Sequence, residues 1–270
     1  MAAVLNRAKM FLSAPLVALE ARLRHCEQIV TLGVRPNFSD YTTEQQALIR
    51  QADKIYYPSS FYADLLDTLG KKTFPSYQTY KFAQDKIKQT ALFQMGGIPH
   101  PRTYIFYGSR QKKDILSTFN LPLIAKVPRG SALGRGVFLI ETQAALDHYC
   151  QMDSPAYIQE YLPIDRDIRV IVIGGRAVNA YWRIASPGEY RANVALGGTI
   201  SFSDIPPKAL ALAEDTAKWC GWDDVGIDIC FCRGGYYVLE ANMKYGKEGF
   251  RLAGINYDKL MEQLIIDGQI

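Results

Sequence analysis

The chain has 270 residues, of which 48% are hydrophobic and 21% charged, enough for one large globular unit or two to three small ones with cores of their own. The 31 basic and 27 acidic residues leave a net charge of +4, too mild and too scattered to argue for nucleic acid. Five cysteines, at 26, 150, 220, 230 and 232, with no C-x-x-C and no histidine at zinc-site spacing, argue against a disulfide framework and a zinc site and fit a reducing, cytoplasmic setting.

Leu5, Phe11, Leu12, Leu16, Leu19 and Leu23 recur at roughly helical spacing and predict an amphipathic N-terminal helix or helix pair. Arg7, Lys9 and Pro15 interrupt any apolar run long enough for a signal sequence or a membrane span. Strands are predicted at 28–33, 54–57 and 72–74, separated by helices at 43–52 and 61–69. That alternation is the pattern of a small parallel α/β layer.

A helix over 82–95, ended by Gly96-Gly97 and Pro99, opens a second α/β unit. It continues with strands at 103–107, 123–127 and 136–140, and helices at 113–119 and 142–150. From Tyr157 the texture changes to longer strands, at 158–162, 167–173, 176–184, 226–232 and 235–242. One helix over 207–220 interrupts them and another over 258–267 closes the chain, an α+β arrangement. The domains are therefore set at 1–80, 81–155 and 156–270.

The segment 226–242 carries the strongest chemical signal. GIDICF and YYVLEAN read as a hairpin, and residues i and i+2 of a strand share a face. Glu240 and Asn242 therefore point together, Leu239 and Ala241 point the other way, and the hairpin brings Asp228 alongside. Carboxylates among Ile, Val and Leu need a partner or a metal. Two carboxylates and an amide oxygen are the ligand type of a hard cation that accompanies phosphates.

Three further segments gain weight from this company. IAKVPRGSALGRG places Lys126 before a loop with Gly130, Ser131, Gly134 and Gly136, and glycines let backbone N–H groups approach phosphate oxygens. It is not a Walker loop, and such a hairpin is also an ordinary turn. In QEYLPIDRDIR, the backbone near Glu160 is placed to meet an adenine edge, while Asp167 and Arg169 share a strand face and read as an ion pair. In YRANVALGG, Arg191 and Asn193 share a face if the segment is extended. They are suited to a phosphate or carboxylate, or the segment is an exposed loop.

The ordered series resembles the ATP-grasp superfamily. It consists of Asp85-Lys86, the Lys126-to-Gly136 loop, Gln159-Glu160-Tyr161, Asp167-Ile168-Arg169, the Arg191-to-Gly198 segment, Gly226-Ile227-Asp228-Ile229 and Leu239-Glu240-Ala241-Asn242. It is most similar to the RimK-like branch of amino-acid ligases, over residues 81–260. The resemblance implies an ATP-grasp fold, α/β and α+β, behind an N-terminal Rossmann-like pre-ATP-grasp domain. It also implies an ATP-dependent carboxylate–amine ligase working through an acyl phosphate.

By position, Lys86, Lys126, Gly130, Ser131 and Gly134 would hold the ATP phosphates. Glu160, Tyr161 and Leu162 would line the adenine pocket, and Asp167 would contact the ribose. Asp228, Glu240 and Asn242 would ligate Mg²⁺, or Mn²⁺ in its place. Arg191 and Asn193 would sit over the reacting phosphate. The partners implied are a small-molecule or peptide carboxylate and an amine or amino acid, with no nucleic acid and no membrane; self-association is left open.

After Asn242 the family's Ser-Pro-Gly stretch is replaced by Met243-Lys244-Tyr245-Gly246. Lys244 and Lys247 are candidates for an anionic substrate group or for solvated surface. The alternatives to a ligase are a kinase on the same fold and a nucleotide-binding module without catalysis.

Overall fold

The computed structural model describes residues 15–130, 136–152, 155–186 and 197–270. Its N-terminal part is a parallel sheet of β1 (Val17–Ala18), β2 (Val30–Thr31), β3 (Lys54–Tyr56) and β4 (Lys72–Phe74) in the order β2-β1-β3-β4. Helices α1 (Thr43–Gln51) and α2 (Ser59–Thr68) link β2 to β3 and β3 to β4. Thr42 starts α1 through a capping box with Gln45, which satisfies backbone donors that the first turn leaves open.

The helix expected through Leu16, Leu19 and Leu23 is absent. Those leucines are inside because the backbone around Val17 is the second strand of the sheet, bonded on both sides: Val30 N donates to Leu16 O and Leu19 N to Tyr56 O. A short 3₁₀ turn, Ala21–Leu23, follows. Leu5, Phe11 and Leu12 lie outside the described residues.

The middle of the chain runs α3 (Tyr77–Phe82), α4 (Lys86–Gly96), β5 (Thr103–Phe106), α5 (Gly108–Lys112), α6 (Ile115–Thr118), β6 (Leu123–Lys126), β7 (Val137–Ile140), α7 (Gln143–Cys150) and β8 (Ala156–Glu160). The helix expected over 82–95 is broken. The side chain of Asp85 accepts from the backbone N–H groups of Ile87 and Lys88 and begins a new helix there. Gly97, in the left-handed region at φ 63°, ends it.

The four strands form an antiparallel sheet, β5-β8-β6-β7. Strand β8, grouped by the sequence with residues 156–270, is a central strand of this middle sheet instead. Its Ala156 and Ile158 pack with Phe106, Leu123 and Leu146, and that burial sets its partners.

The C-terminal part holds β9 (Arg166–Ile173), β10 (Arg176–Ile184), β11 (Thr199–Ser201), α8 (Pro207–Cys220), β12 (Asp224–Cys232), β13 (Gly235–Asn242), α9 (Glu248–Leu252) and α10 (Tyr257–Ile266). The strands make an antiparallel sheet, β11-β10-β9-β12-β13. One face packs on α8, whose Ala209, Ala213 and Ala217 let the helix lie close on Val170, Val225 and Ile227. The opposite face supports the site.

All five cysteines are free thiols, and Cys150 alone among them is not buried. Burial pushes the thiols of Cys220 and Cys230 up to about 12. Iodoacetamide reacts with thiolates. Mass spectrometry of folded protein treated near pH ~8 is expected to find Cys150 alkylated first, with Cys220 and Cys230 labelled only after denaturant is added.

Candidate active site

The site is a row of charges across four strands, set by register. Arg183 on β10 lies opposite Asp167 on β9; Arg169 on β9 lies opposite Asp228 on β12; Asp228 lies opposite Glu240 on β13. Asn242, two residues beyond Glu240, donates from Nδ2 to Glu240 Oε1 at 2.8 Å. Asp228, Glu240 and Asn242 thus converge on one cavity of about 390 Å³, which Lys86, Lys126, Gly130, Glu160, Tyr161, Leu162 and Asp167 also line.

The pairing between β12 and β13 slips between Asp228 and Ile229, where Ile229 faces Val238. This bulge leaves Leu239 as an extra residue. Leu239 was expected on the far face with Ala241. It lines the cavity instead, and packs with Leu162, Cys230 and Cys232, while Ala241 stays in the core behind the sheet.

Beyond its pairing with β12, β13 is bound from the side by Gln89 of α4, which donates to Ala241 O and accepts from Ala241 N, both at 2.9 Å. That pair of bonds fixes the strand between Glu240 and Asn242.

The break at Asp85 places Lys86 in the first turn of α4. Asp85 Oδ2 accepts from Arg129 Nε at 2.7 Å and Lys86 N donates to Pro128 O at 3.1 Å, so the start of this helix is tied to the glycine loop. Lys86 Nζ stands 3.7 Å from Glu240 Oε2. Lys126, 6% exposed at the end of β6, faces the same carboxylate. Burial lowers the Lys126 ammonium from its usual range against the pull of Glu240. Burial alone would raise the Glu240 carboxyl, but Lys86, Lys126 and the Asn242 amide outweigh it and hold it low.

Asp228 is 2% exposed. Arg169 grips both its oxygens, Nε to Oδ1 and Nη2 to Oδ2 at 2.7 Å each, and Arg183 Nη2 reaches Oδ2 at 2.8 Å. These cations outweigh burial and keep the carboxyl ionised, below its usual range. Asp167 is held by Arg183 at 2.6 and 2.7 Å. One expectation changes here: Arg169 pairs across strands with Asp228 and not along its own strand with Asp167. Asp167, expected on a ribose, lines the cavity with each carboxylate oxygen accepting one bond from Arg183.

Glu160 ends β8, with its carboxylate accepting from Arg102 N at 2.7 Å and Arg233 Nη1 at 2.8 Å. Beyond it, Tyr161 and Leu162 leave the sheet along the cavity, whose apolar lining includes Pro101, Ile124, Ile164 and Leu239. Lys244 reaches the cavity wall. Lys247 does not join it; its ammonium pairs with Asp258 at 2.9 Å and lies over the Tyr257 ring. Ser131, Gly134, Arg191 and Asn193 lie outside the described residues. Arg183 and Gln89 were missed in the sequence. The one signal for Arg183 was a charged residue within the apolar run 180–184, which a surface position produces equally well, and Gln89, between Lys88 and Thr90, had none.

The chain matches the family model of the RimK-like ATP-grasp domain over residues 83–265, which contain every described site residue named above. It belongs to the RimK-like ATP-grasp family. Relatives include a protein named "Probable alpha-L-glutamate ligase" from Aeromonas salmonicida (strain A449), 33% identical over 178 residues, 63% of this chain and 59% of the relative. Another is named "Ribosomal protein bS6--L-glutamate ligase", from Salmonella newport (strain SL254), 31% identical over 191 residues, 68% of this chain and 63% of the relative.

The chain spans between 41% and 63% of the length of the curated relatives it matches. The fold is shared with a RimK domain ATP-grasp protein from Sphaerobacter thermophilus DSM 20745, at a TM-score of 0.65 and 16% identity, over 93% of this chain and 99% of that one. The architecture is therefore the ATP-grasp fold, as the RimK-like motif order implied. No helix among the described residues is long and apolar enough to cross a membrane.

Proposed function

We propose that this chain is an ATP-dependent carboxylate–amine ligase. The observation that carries the reading is the convergence of Asp228, Glu240 and Asn242 on the cavity that Lys86 and Lys126 also face. Membership of the RimK-like family supports it, as do the names of the glutamate ligases it resembles.

In this reading ATP lies along the cavity. Its adenine rests among Ile124, Leu162, Ile164 and Leu239, with the backbone of Glu160 to Leu162 at its edge. Lys86 and Lys126 meet the phosphates, and Gly130 lets the loop backbone come close to them. The donor set fits a magnesium ion: it is all oxygen, two of its members are carboxylates held ionised, and the Asn242 amide spends its nitrogen on Glu240, leaving its oxygen for a cation. Asp228, Glu240 and Asn242 would hold Mg²⁺, which when bound neutralises charge on the phosphate oxygens. Mn²⁺ has the same preference for oxygen ligands.

A carboxylate oxygen of the substrate attacks the γ-phosphorus and ADP leaves, giving an acyl phosphate. The amine nitrogen then attacks the acyl carbon, phosphate leaves, and the nitrogen loses a proton to give the amide. Phosphoryl transfer of this kind needs positioning and charge neutralisation rather than a protein nucleophile, which suits a site of lysines, arginines and carboxylates. Arg191 and Asn193 complete the reading on the reacting groups. The amine is an amino acid of the glutamate class, the carboxylate a small molecule or peptide end, and the setting cytoplasmic. Lys244 at the cavity wall supplies a cation for an acidic substrate group.

The test is product analysis with ATP, magnesium and a panel of amino acids and small carboxylates. ADP and free phosphate in equal amounts, formed only when both a carboxylate and an amine are present, is the expected result. ADP without free phosphate, together with a phosphorylated product, would make the protein a kinase. Nucleotide binding with no turnover on any pair would make it a binding module.

A further inference from the structure

The two arginines on Asp228 have a role that the trio itself does not explain. A carboxylate that is to ligate a metal is here closed by guanidinium groups on both oxygens. The two arginines are not equivalent. Arg183 is almost wholly buried and is held on both sides, by Asp167 and by Asp228. Arg169 is more open to the cavity, and Asp228 is the partner that holds it. Around the trio, Lys86, Lys126, Arg169 and Arg183 all face the cavity. With Arg166 and Lys244 these cations outnumber the carboxylates of the same lining, Glu160, Asp167, Asp228 and Glu240, so a bare divalent cation meets a net positive field that a triphosphate reverses.

We propose that Arg169 locks Asp228 against free divalent metal and releases it only when the metal arrives with a triphosphate. On loading, Arg169 gives up its two bonds to Asp228 and turns onto a phosphate oxygen. Asp228 keeps its place because Arg183, anchored by Asp167, still holds one of its oxygens from the side. Arg183 is thus a positioning residue and Arg169 the exchanging one. Guanidinium suits the exchange because it matches carboxylate and phosphate oxygens with the same paired N–H geometry. Metal and nucleotide then bind with positive coupling that belongs to Arg169. The proposal rests on the ATP-ligase reading of the site.

The experiment measures Mn²⁺ binding by electron paramagnetic resonance, with and without a non-hydrolysable ATP analogue, on the wild-type chain, R169M and R169K. Wild type is expected to bind Mn²⁺ at least about tenfold more tightly with the analogue than without it, within the usual range of coupling between two ligands. R169M removes the lock and is expected to gain about tenfold in nucleotide-free Mn²⁺ affinity, with most of the coupling lost. R169K keeps the charge but cannot grip both oxygens, and is expected to fall between the two. It decides the matter if R169M does not give a folded sample by circular dichroism.

Equal Mn²⁺ affinity with and without analogue in wild type overturns the lock. So does nucleotide-free affinity unchanged by the substitutions. In either case, analogue binding with magnesium, followed by calorimetry, leaves the ligase reading standing. Failure of the analogue to bind removes both.

Discussion

Asp228→Ala is expected to lose both stability and turnover, whereas Glu240→Ala loses turnover alone. The difference comes from what each carboxylate holds. Asp228 is buried and answers Arg169 and Arg183, so its removal leaves two guanidinium groups facing each other beneath the cavity. Breaking a buried ion pair by removing one partner costs about 3–5 kcal/mol. Glu240 is partly open to the cavity, with Lys86 at 3.7 Å, the Asn242 amide and the Lys126 ammonium as its neighbours. The first two can turn to water when it is gone, and Lys126, whose charged form burial already disfavours, can shed its proton.

Urea melts of the two variants are therefore expected to separate, with Glu240→Ala close to wild type and Asp228→Ala well below it. ATP-dependent phosphate release is expected to fall by about 100-fold or more in Glu240→Ala, the scale of removing one preorganised charge-stabilising group. A folded Glu240→Ala protein with wild-type turnover would remove this residue from the metal set. Equal stability of the two variants would mean that the arginines do not depend on Asp228.

Asp224→Ala is expected to be as damaging to the fold as Asp228→Ala, though Asp224 lies outside the cavity lining. Asp224 is 1% exposed and accepts from Tyr57 Oη at 2.7 Å and Tyr245 Oη at 2.6 Å. Tyr57 follows β3 of the parallel sheet, and Tyr245 lies just past Lys244 on the cavity wall. Arg22 packs over the rings of Tyr57, Tyr245 and Tyr257, and donates from Nε to Tyr257 Oη at 2.7 Å. One carboxylate therefore joins the N-terminal sheet to the segment that shapes one end of the site.

Removing it strands the Tyr245 hydroxyl, leaves Tyr57 only its 3.3 Å contact with Tyr257 Oη, and strips Arg22 of its carboxylate, at about 1–3 kcal/mol for each unsatisfied group. The expected loss is about 3–5 kcal/mol, read by denaturant titration. At temperatures where the variant is still folded, KM for the acceptor substrates should rise more than KM for ATP, because Met243 and Lys244 lose their support. Asp224→Asn, which can still accept from one tyrosine, is expected to recover part of both. A variant as stable as wild type would show that the tyrosine cluster holds the two parts without its carboxylate.

Local sequence carried the elements whose pattern is decided within a few residues. The hairpin 226–242 was legible because a tight Arg233-Gly234-Gly235 turn joins two apolar strands. The helix over 207–220 was legible because its small and apolar residues recur at helical spacing and Gly221 stops it at φ 69°. The order of Lys86, Lys126, Glu160, Asp228, Glu240 and Asn242 likewise placed the chain in its family, since motif order is a property of the chain alone.

Tertiary structure decided which of these groups face one another. Leu16, Leu19 and Leu23, at helical spacing, fell on a strand and a turn, because bonds from β2 and β3, far along the chain, claimed that backbone. Asp167 and Arg169 look like a pair in one strand, yet each bonds to a different neighbour, because cross-strand side chains on a pleated face approach more closely than i and i+2. Leu239 turned toward the cavity because one bulge reverses the alternation beyond it. The sequence by itself supplied the donors and their order. Strand register, a bulge and the burial of Asp228 and Asp224 determined which donors are free and which are already bound. A buried charge takes the nearest partner that offsets its desolvation, and sequence spacing does not measure that nearness.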